Sequence, residues 1–182
     1  MAPRGKEEAD SAGEARQNAY YRQAAAQYTP ALERLARAYE ADGDLRRDLL
    51  QDIHLALWRS FAGFDGKCAL RTWTYRVAHN VAATHVVQRR RAARLMSLEE
   101  MDDTPDPDNP EGMTGDRQVL DRLMILIRTL KAPDSQVILL YLEEFDAAAI
   151  AEITGLSPGN VATRIHRIKA LLARRFRDRS AS

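Results

Sequence analysis

The chain has 182 residues, 45% of them hydrophobic and 29% charged, so it can bury an interior and is too polar to lie within a membrane. Its formal net charge is only +1, and its single cysteine, Cys68, excludes an internal disulfide. No cysteine pair has zinc-ligand spacing, no run approaches the roughly 18 apolar residues of a membrane span, and the N-terminus lacks a signal-peptide core. We therefore expect a cytoplasmic protein with no metal site, no cofactor and no membrane insertion.

The N-terminal part begins without any apolar period. Residues 1–18 mix charged residues with Gly, Ala and Ser, and we interpret them as a disordered leader. Thr29 followed by Pro30 is typical of a helix start, because threonine caps the first turn and proline fits the first helical position. The segment 42–44, Asp-Gly-Asp, then ends this helix and caps the next.

Two more helices are predicted before the composition changes. The second runs from about Leu45 to Ser60, with apolar residues three and four positions apart. A third apolar period starts at Leu70, after a loop with two glycines, and continues into the basic segment 88–91. Residues 97–117 are acidic and proline-rich, with eight acidic and no basic residues between 99 and 116, which predicts a flexible linker.

The helical period returns after the linker, and no useful stretch alternates with period two, so no sheet is expected. The fold class is therefore all-α, with two small helical domains joined by an acidic flexible linker. The predicted organisation is a leader at 1–18, a first domain at 19–96, the linker at 97–117 and a second domain at 118–178.

The small net charge conceals two basic clusters. Residues 67–95 carry seven basic and no acidic residues, and residues 156–182 carry seven basic residues and one acidic residue. Local charge of this size favours a polyanionic partner, because each neutralised phosphate releases counterions. Arginines that only solvate helix faces are the alternative.

Residues 146–170 have the pattern of a helix-turn-helix. Ala151 allows close helix crossing, Gly155 allows a left-handed turn, and Ser157 before Pro158 caps the second helix. Five apolar residues fill the wedge between the helices: Ile150, Ile153, Leu156, Val161 and Ile165. The exposed face of the second helix would enter a major groove, where arginine reads guanine and asparagine reads adenine. An ordinary helical hairpin with a solvated arginine face is the alternative.

The predicted helix 45–60 has a second stripe opposite its core face. This stripe looks like a docking surface, although a solvated helix face is the commoner explanation for such a stripe taken alone. Its members follow at steps of three and four residues: Asp48, Gln51, Asp52, Leu55 and Arg59. Downstream, aromatic residues alternate with cationic ones, as unstacked bases require. These are Phe61, Phe64, Trp73 and Tyr75 among Lys67, Arg71 and Arg76, although most of the aromatics, Trp58 and Trp73 especially, are expected in the core.

Several of these segments together resemble a known family. Segments 48–58, 61–64, 71–80 and 88–91 resemble region 2 of the bacterial sigma-70 family, in its extracytoplasmic-function (ECF) group. The segment 120–176, with Ser-Pro-Gly-Asn-Val at 157–161 and Thr-Arg-Ile-His-Arg at 163–167, resembles region 4 of the same group. The resemblance covers about residues 28–95 and 118–176, in the family's order.

The resemblance implies a non-enzymatic promoter-specificity factor that binds core RNA polymerase, with no small-molecule substrate. The stripe Asp48, Gln51, Asp52, Leu55 and Arg59 would bind the clamp helices of the largest polymerase subunit. The first domain would take the non-template single strand of the minus-ten element through Phe64, Lys67, Arg71, Arg76, Asn80, Arg89, Arg90 and Arg91.

The second domain would read the minus-thirty-five element as duplex DNA through Ser157, Asn160, Thr163, Arg164, Arg167 and Lys169. An anti-sigma factor would hold the protein inactive, and the polymerase-bound form would associate with the nucleoid. A dimeric helix-turn-helix transcriptional regulator is the alternative function, although a dimer face should be mainly apolar. An enzyme is disfavoured, because the four histidines are scattered and lack a nucleophile or a glycine-rich phosphate loop.

Overall fold

The computed structural model describes residues 4–99 and 115–180, and their side chains over 11–93 and 119–175. Every regular element in these two ranges is helical, as the sequence predicts. In chain order they are α1 (Arg4–Tyr39), α2 (Gly43–Ser60), a 3₁₀ turn (Phe61–Gly63), α3 (Leu70–Glu99), α4 (Gly115–Arg128), α5 (Ala132–Leu142), α6 (Ala147–Thr154) and α7 (Pro158–Ser180). No helix in the described part of the chain has both the length and the apolar character that a membrane span needs.

Helix α1 corrects two expectations. It is already helical at Arg4, so residues 4–18 do not lack regular structure, and Thr29 lies inside the helix, where its hydroxyl donates to the Ala25 carbonyl at 2.7 Å. The early residues are held by contacts with α2: the buried Gln17 donates its side-chain amide to the Trp58 carbonyl at 2.7 Å. This partner lies 41 residues away along the chain, so no local apolar period predicts the contact.

The first domain packs α1, α2 and α3 around one core. Asp42 caps α2 as predicted, because its side chain accepts hydrogen bonds from the backbone N–H groups of Asp44 and Leu45 at 2.9 Å each. The face of α2 that the sequence assigns to the interior is buried at Ile53 and Leu57. Further buried members of this core are Ala24, Leu32, Leu35, Ala36, Leu49, Phe61, Phe64, Ala78 and Ala82.

The second domain contains the predicted helix-turn-helix. Helix α6 ends at Gly155, whose φ of 74° is the left-handed conformation that the tight turn requires. The wedge between α6 and α7 is filled at Ile150, Ile153 and Val161, which are all buried. Ser157 starts α7 by accepting a hydrogen bond from the backbone N–H of Asn160 at 3.3 Å.

The two domains pack against each other, chiefly α3 against α6 and α1 against α4. The apolar core of the second domain continues into the first, where it includes Ala31, Ala38 and Tyr75. Most of the predicted linker, residues 100–114, lies outside the described residues, and its flanks at 97–99 and 115–117 are helical.

Candidate nucleic-acid interfaces

The predicted stripe on α2 is exposed along its whole length. Asp48, Gln51, Asp52 and Arg59 lie on the surface, and Leu55 is 43% exposed. An exposed leucine beside two carboxylates on one helix face can meet a partner helix that is rich in arginine, because apolar contact and charge then act together.

Trp58 extends this stripe, against the expectation that it belongs to the core. Its ring is 39% exposed, and its Nε1–H donates to the side-chain oxygen of Asn18 at 2.8 Å. Helical spacing could have predicted this exposure, because Trp58 lies three residues after Leu55 and thus on the same helix face. We refer to Asp48, Gln51, Asp52, Leu55, Trp58 and Arg59 as the α2 surface.

The aromatic residues that follow α2 pack in the core and do not form an exposed surface on which bases could stack. Phe64, expected to hold DNA, is only 6% exposed, and its ring lies 4.9 Å from that of Tyr20 and 5.2 Å from that of Trp73. The assignment of Phe64 to DNA is therefore corrected, because no face of its ring is open to a base. Lys67 is exposed nearby and forms an ion pair with Asp65 at 2.6 Å.

Arg71 and Arg76, also expected to hold DNA, bind the second domain in this structure. Arg71 donates to the Glu143 carbonyl, and its guanidinium carbon lies 4.0 Å from the centre of the Phe145 ring. Arg76 donates to both the carbonyl and the carboxylate of Glu152 at 3.1 Å. The partners lie 72 and 76 residues away along the chain, so local sequence patterns do not reveal them.

The remaining candidates on α3 are exposed. Asn80, Arg89, Arg90 and Arg91 lie on the surface, and Arg89 also donates to the buried Glu40 carboxylate at 2.7 Å. Burial acts to raise the pKa of Glu40, but hydrogen bonds from Arg89, His85 and the backbone of Asp42 outweigh it and lower that pKa. Glu40 therefore stays ionised and fixes the start of the basic segment 89–91.

On α7, the candidate residues occupy the exposed side of the recognition helix. Five of them are exposed: Ser157, Asn160, Thr163, Arg167 and Lys169. The Nζ atom of Lys169 lies 5.2 Å from the centre of the Tyr141 ring. The side chain of Arg164 is only 27% exposed. The hydroxyl of Thr163 donates to the Gly159 carbonyl at 2.9 Å, so this threonine keeps acceptor capacity toward solvent.

A loop between α5 and α6 joins the domains through Glu143. The Glu143 carboxylate accepts two hydrogen bonds from Arg34, at 2.9 and 2.8 Å, and one from the Tyr75 hydroxyl at 2.9 Å. Burial acts to raise the pKa of Glu143, but these hydrogen bonds and the nearby arginine charges lower it overall. Phe145, the other anchor of this loop, packs edge-on against the Tyr75 ring with centres 4.8 Å apart.

Other ionisable groups of the first domain are structural. His79 is 1% exposed, burial lowers its pKa to about 3, and its Nδ1 hydrogen-bonds the Tyr39 hydroxyl at 3.0 Å. Burial also raises the pKa of the partly buried Cys68 thiol. Over the described ranges, no cluster of three or more His, Cys, Asp or Glu side chains is arranged to hold a metal ion.

Comparison with known proteins identifies both domains. Residues 24–92 match the family model for sigma-70 region 2, and residues 120–172 match that for sigma-70 region 4. The chain belongs to the bacterial sigma-70 family, in its ECF group, whose members are non-catalytic transcription initiation factors. This confirms the resemblance that the sequence carries.

The chain is similar to the ECF RNA polymerase sigma factor SigG of Mycobacterium tuberculosis, in strains CDC 1551 and H37Rv, with 27% identity over 165 residues. The match covers 77% of this chain and 45% of SigG, so the chain spans about half the length of these curated relatives.

Two solved structures share the fold. One is the sigma factor RpoE bound to the anti-sigma factor NepR, from Bartonella quintana, with a TM-score of 0.66 and 20% identity over 84% of this chain and 93% of RpoE. The other is CnrH in complex with the cytosolic domain of CnrY, with a TM-score of 0.65 and 23% identity over 92% of this chain and 94% of that chain.

Proposed function

We propose that this protein is a sigma factor that binds core RNA polymerase and directs promoter-specific transcription initiation. The observation that carries the proposal is the ordered pair of matched domains, region 2 before region 4, each with its own basic segment. The α2 surface, with its two carboxylates, does not fit the interface of a conventional dimeric regulator, because dimer interfaces are mainly apolar.

The α2 surface is the docking site for polymerase in this proposal. Asp48 and Asp52 would pair with arginines of the clamp helices in the largest subunit, while Leu55 and Trp58 would supply apolar contact. Exposed ion pairs contribute little affinity each, so the aromatic and leucine side chains would provide most of the binding and the carboxylates its orientation.

The basic side of region 2 would hold the minus-ten element as a separated strand. Lys67, Asn80, Arg90 and Arg91 are exposed. The three cationic side chains would follow the phosphate backbone of the non-template strand, and the Asn80 amide would supply hydrogen bonds. Extruding a base costs a few kcal/mol, which stacking and hydrogen bonds must offset.

Arg71 and Arg76 would join this set only after the region 2–region 4 contact opens. Both arginines are engaged by Glu143, Phe145 and Glu152 in the closed arrangement. The proposed function therefore includes a separation of the two domains on the way to promoter binding.

Region 4 would read the minus-thirty-five element as a duplex, with α7 in the major groove. Ser157, Asn160, Thr163, Arg167 and Lys169 are on the side of α7 that faces solvent, where phosphates and base edges could reach them. Two modules on one chain gain avidity only at a promoter spacing that suits both, so spacing becomes part of the specificity.

Control by an anti-sigma factor, acting on this protein in the cytoplasm, completes the proposal. Its support is that one structural neighbour is a sigma factor bound to an anti-sigma factor, NepR, that the other is also bound to a protein partner, and that both align over more than four-fifths of this chain.

Gel filtration of the purified chain with bacterial core RNA polymerase tests the proposal. The wild type should co-elute with polymerase, and the double variant Asp48→Arg, Asp52→Arg should not, because it opposes an arginine-rich surface with like charge. The matched control is Glu14→Arg, Glu33→Arg, which reverses two exposed carboxylates of α1, outside the α2 surface, and should still co-elute. If neither wild type nor control co-elutes and the chain runs as a dimer, the sigma proposal is wrong and a dimeric regulator replaces it.

A further inference from the structure

One carboxylate from α5 holds two arginines of the recognition helix. Asp134 lies in the first turn of α5 and its side chain is 16% exposed. Its Oδ1 accepts a hydrogen bond from Arg164 Nη1 at 2.5 Å, and its Oδ2 accepts one from Arg167 Nη2 at 2.7 Å.

The two arginines are not equivalent in this cluster. The Arg164 side chain is 27% exposed, and its Nε donates to the Asn160 side-chain oxygen at 2.7 Å in addition to the Asp134 bond. The Arg167 side chain is 63% exposed and uses one guanidinium nitrogen on Asp134. A base edge could therefore reach Arg167 without breaking an internal bond, whereas Arg164 would first have to lose two.

The cluster also limits how Arg167 can point. A free arginine samples many rotamers and loses that freedom when it binds, but a guanidinium held through one nitrogen is already oriented. Bidentate recognition of guanine depends on such an orientation, because both hydrogen bonds form only in one plane. The Asp134 charge at the same time reduces the attraction of this face for phosphates in general.

We propose that Asp134 is a positioning residue that sets the sequence specificity of region 4, with Arg164 anchoring α7 to α5 and Arg167 reading the base. The proposal rests on the proposed function and refines it. Arg164, which the sequence assigns to DNA contact, here supports the recognition helix instead. Neutralising Asp134 should increase the affinity for unrelated DNA. It should also decrease the ratio of the affinities for the preferred and the unrelated sequence.

The test uses the full chain in complex with core RNA polymerase. Wild type first selects a preferred duplex from a pool with a randomised segment, and binding of this duplex and of a scrambled duplex is then measured for each variant. For Asp134→Asn we expect the ratio of the two affinities to fall about tenfold, as one good bidentate contact implies, with binding to the scrambled duplex equal or tighter. Asp134→Glu should restore part of the ratio, and Arg167→Ala should lose the same base preference without loss of folding stability.

Glu144→Gln is the control, since it removes one exposed negative charge from the same domain. The inference is overturned if Asp134→Asn weakens both duplexes equally, which a purely structural role predicts, or leaves the ratio unchanged. It is also overturned if wild type binds polymerase but selects no duplex sequence. Failure of wild type to bind polymerase would instead refute the proposed function.

Discussion

Arg34 and Glu143 lie 109 residues apart in the sequence, yet their side chains form a two-point ion pair that joins region 2 to region 4. The Arg34 side chain is 55% exposed and that of Glu143 is 22% exposed, so the pair lies at the edge of the domain contact. The Tyr75 hydroxyl shares the same carboxylate from the inner side. This edge position makes Glu143 the most direct point at which the closed arrangement can be weakened.

Glu143→Gln should loosen the domain contact. The amide keeps the volume of the side chain but loses the charge that binds Arg34, and it can satisfy Tyr75 only through one oxygen. We expect a loss of about 1–2 kcal/mol in the free energy of unfolding, measured by urea denaturation, together with a larger separation of dyes placed on the two domains.

The neighbouring Glu144→Gln is the matched control, because it removes one carboxylate charge from the same loop at an exposed position. A Glu143→Gln protein with wild-type stability and unchanged dye separation would show that this ion pair does not hold the domains together.

The buried His79 should make the fold sensitive to mild acid. Burial lowers its pKa to about 3, while in the unfolded chain a histidine titrates near 6.5, so the unfolded state binds the extra proton over this interval. Stability from this group is complete above the unfolded pKa and falls as the pH is lowered toward the folded value. We expect a loss of about 2 kcal/mol between about pH 7 and about pH 5.

His79→Gln isolates this contribution, because glutamine can still hydrogen-bond the Tyr39 hydroxyl but does not titrate. Urea denaturation at several pH values should show a shallower pH dependence than in wild type, whatever the absolute stability of the variant. Parallel curves for the two proteins would contradict the prediction.

Phe64→Ala should lower the stability of the fold, because the ring is part of the region 2 core. The ring fills a core position among Tyr20, Phe61 and Trp73, so truncation leaves a cavity that costs about 3–5 kcal/mol. Lys67→Ala, on the surface of the same loop, should change stability by less than about 0.5 kcal/mol. Urea denaturation distinguishes the two, and a stable Phe64→Ala protein would return this residue to the DNA-contacting set.

The two glycines near the helix-turn-helix should respond in opposite directions to alanine. Gly155 has a φ of +74°, so Gly155→Ala forces a left-handed alanine and should destabilise by about 1 kcal/mol, although no atom lies within 4 Å of the added carbon. Gly159 lies in the first turn of α7 with equally open surroundings, and Gly159→Ala should stabilise by about 0.5 kcal/mol because alanine restricts the unfolded chain and favours the helix. Thermal denaturation of both variants checks the contrast.

Local chemistry made part of the structure predictable. The helix starts at Asp42 and Ser157 are predictable because each side chain accepts a hydrogen bond from a backbone N–H three residues later. The turn at Gly155 is predictable because other residues adopt its left-handed conformation only with strain. The apolar wedge of the helix-turn-helix follows from period alone.

The parts that escaped prediction depend on partners far along the chain. Gln17 is ordered by a carbonyl of α2, and Arg71 is withdrawn from solvent by Glu143 and Phe145, which belong to the other domain. A sequence pattern records the charge of Arg71 but not whether a phosphate or a glutamate backbone will be its partner. The exposure of Trp58 was within reach, because it follows the same helical spacing as Leu55.

The chain has two tryptophans, and the fold places them in contrasting surroundings. Trp58 sits 39% exposed on the α2 surface, while Trp73 is half-buried with its Nε1–H bonded to the Ser60 hydroxyl at 3.0 Å and its ring against Phe64. The protein therefore contains two built-in optical reporters, one for contact at α2 and one for integrity of the region 2 core. With Trp73→Phe the remaining tryptophan reports the surroundings of the α2 surface, and with Trp58→Phe the remaining tryptophan reports those of the region 2 core.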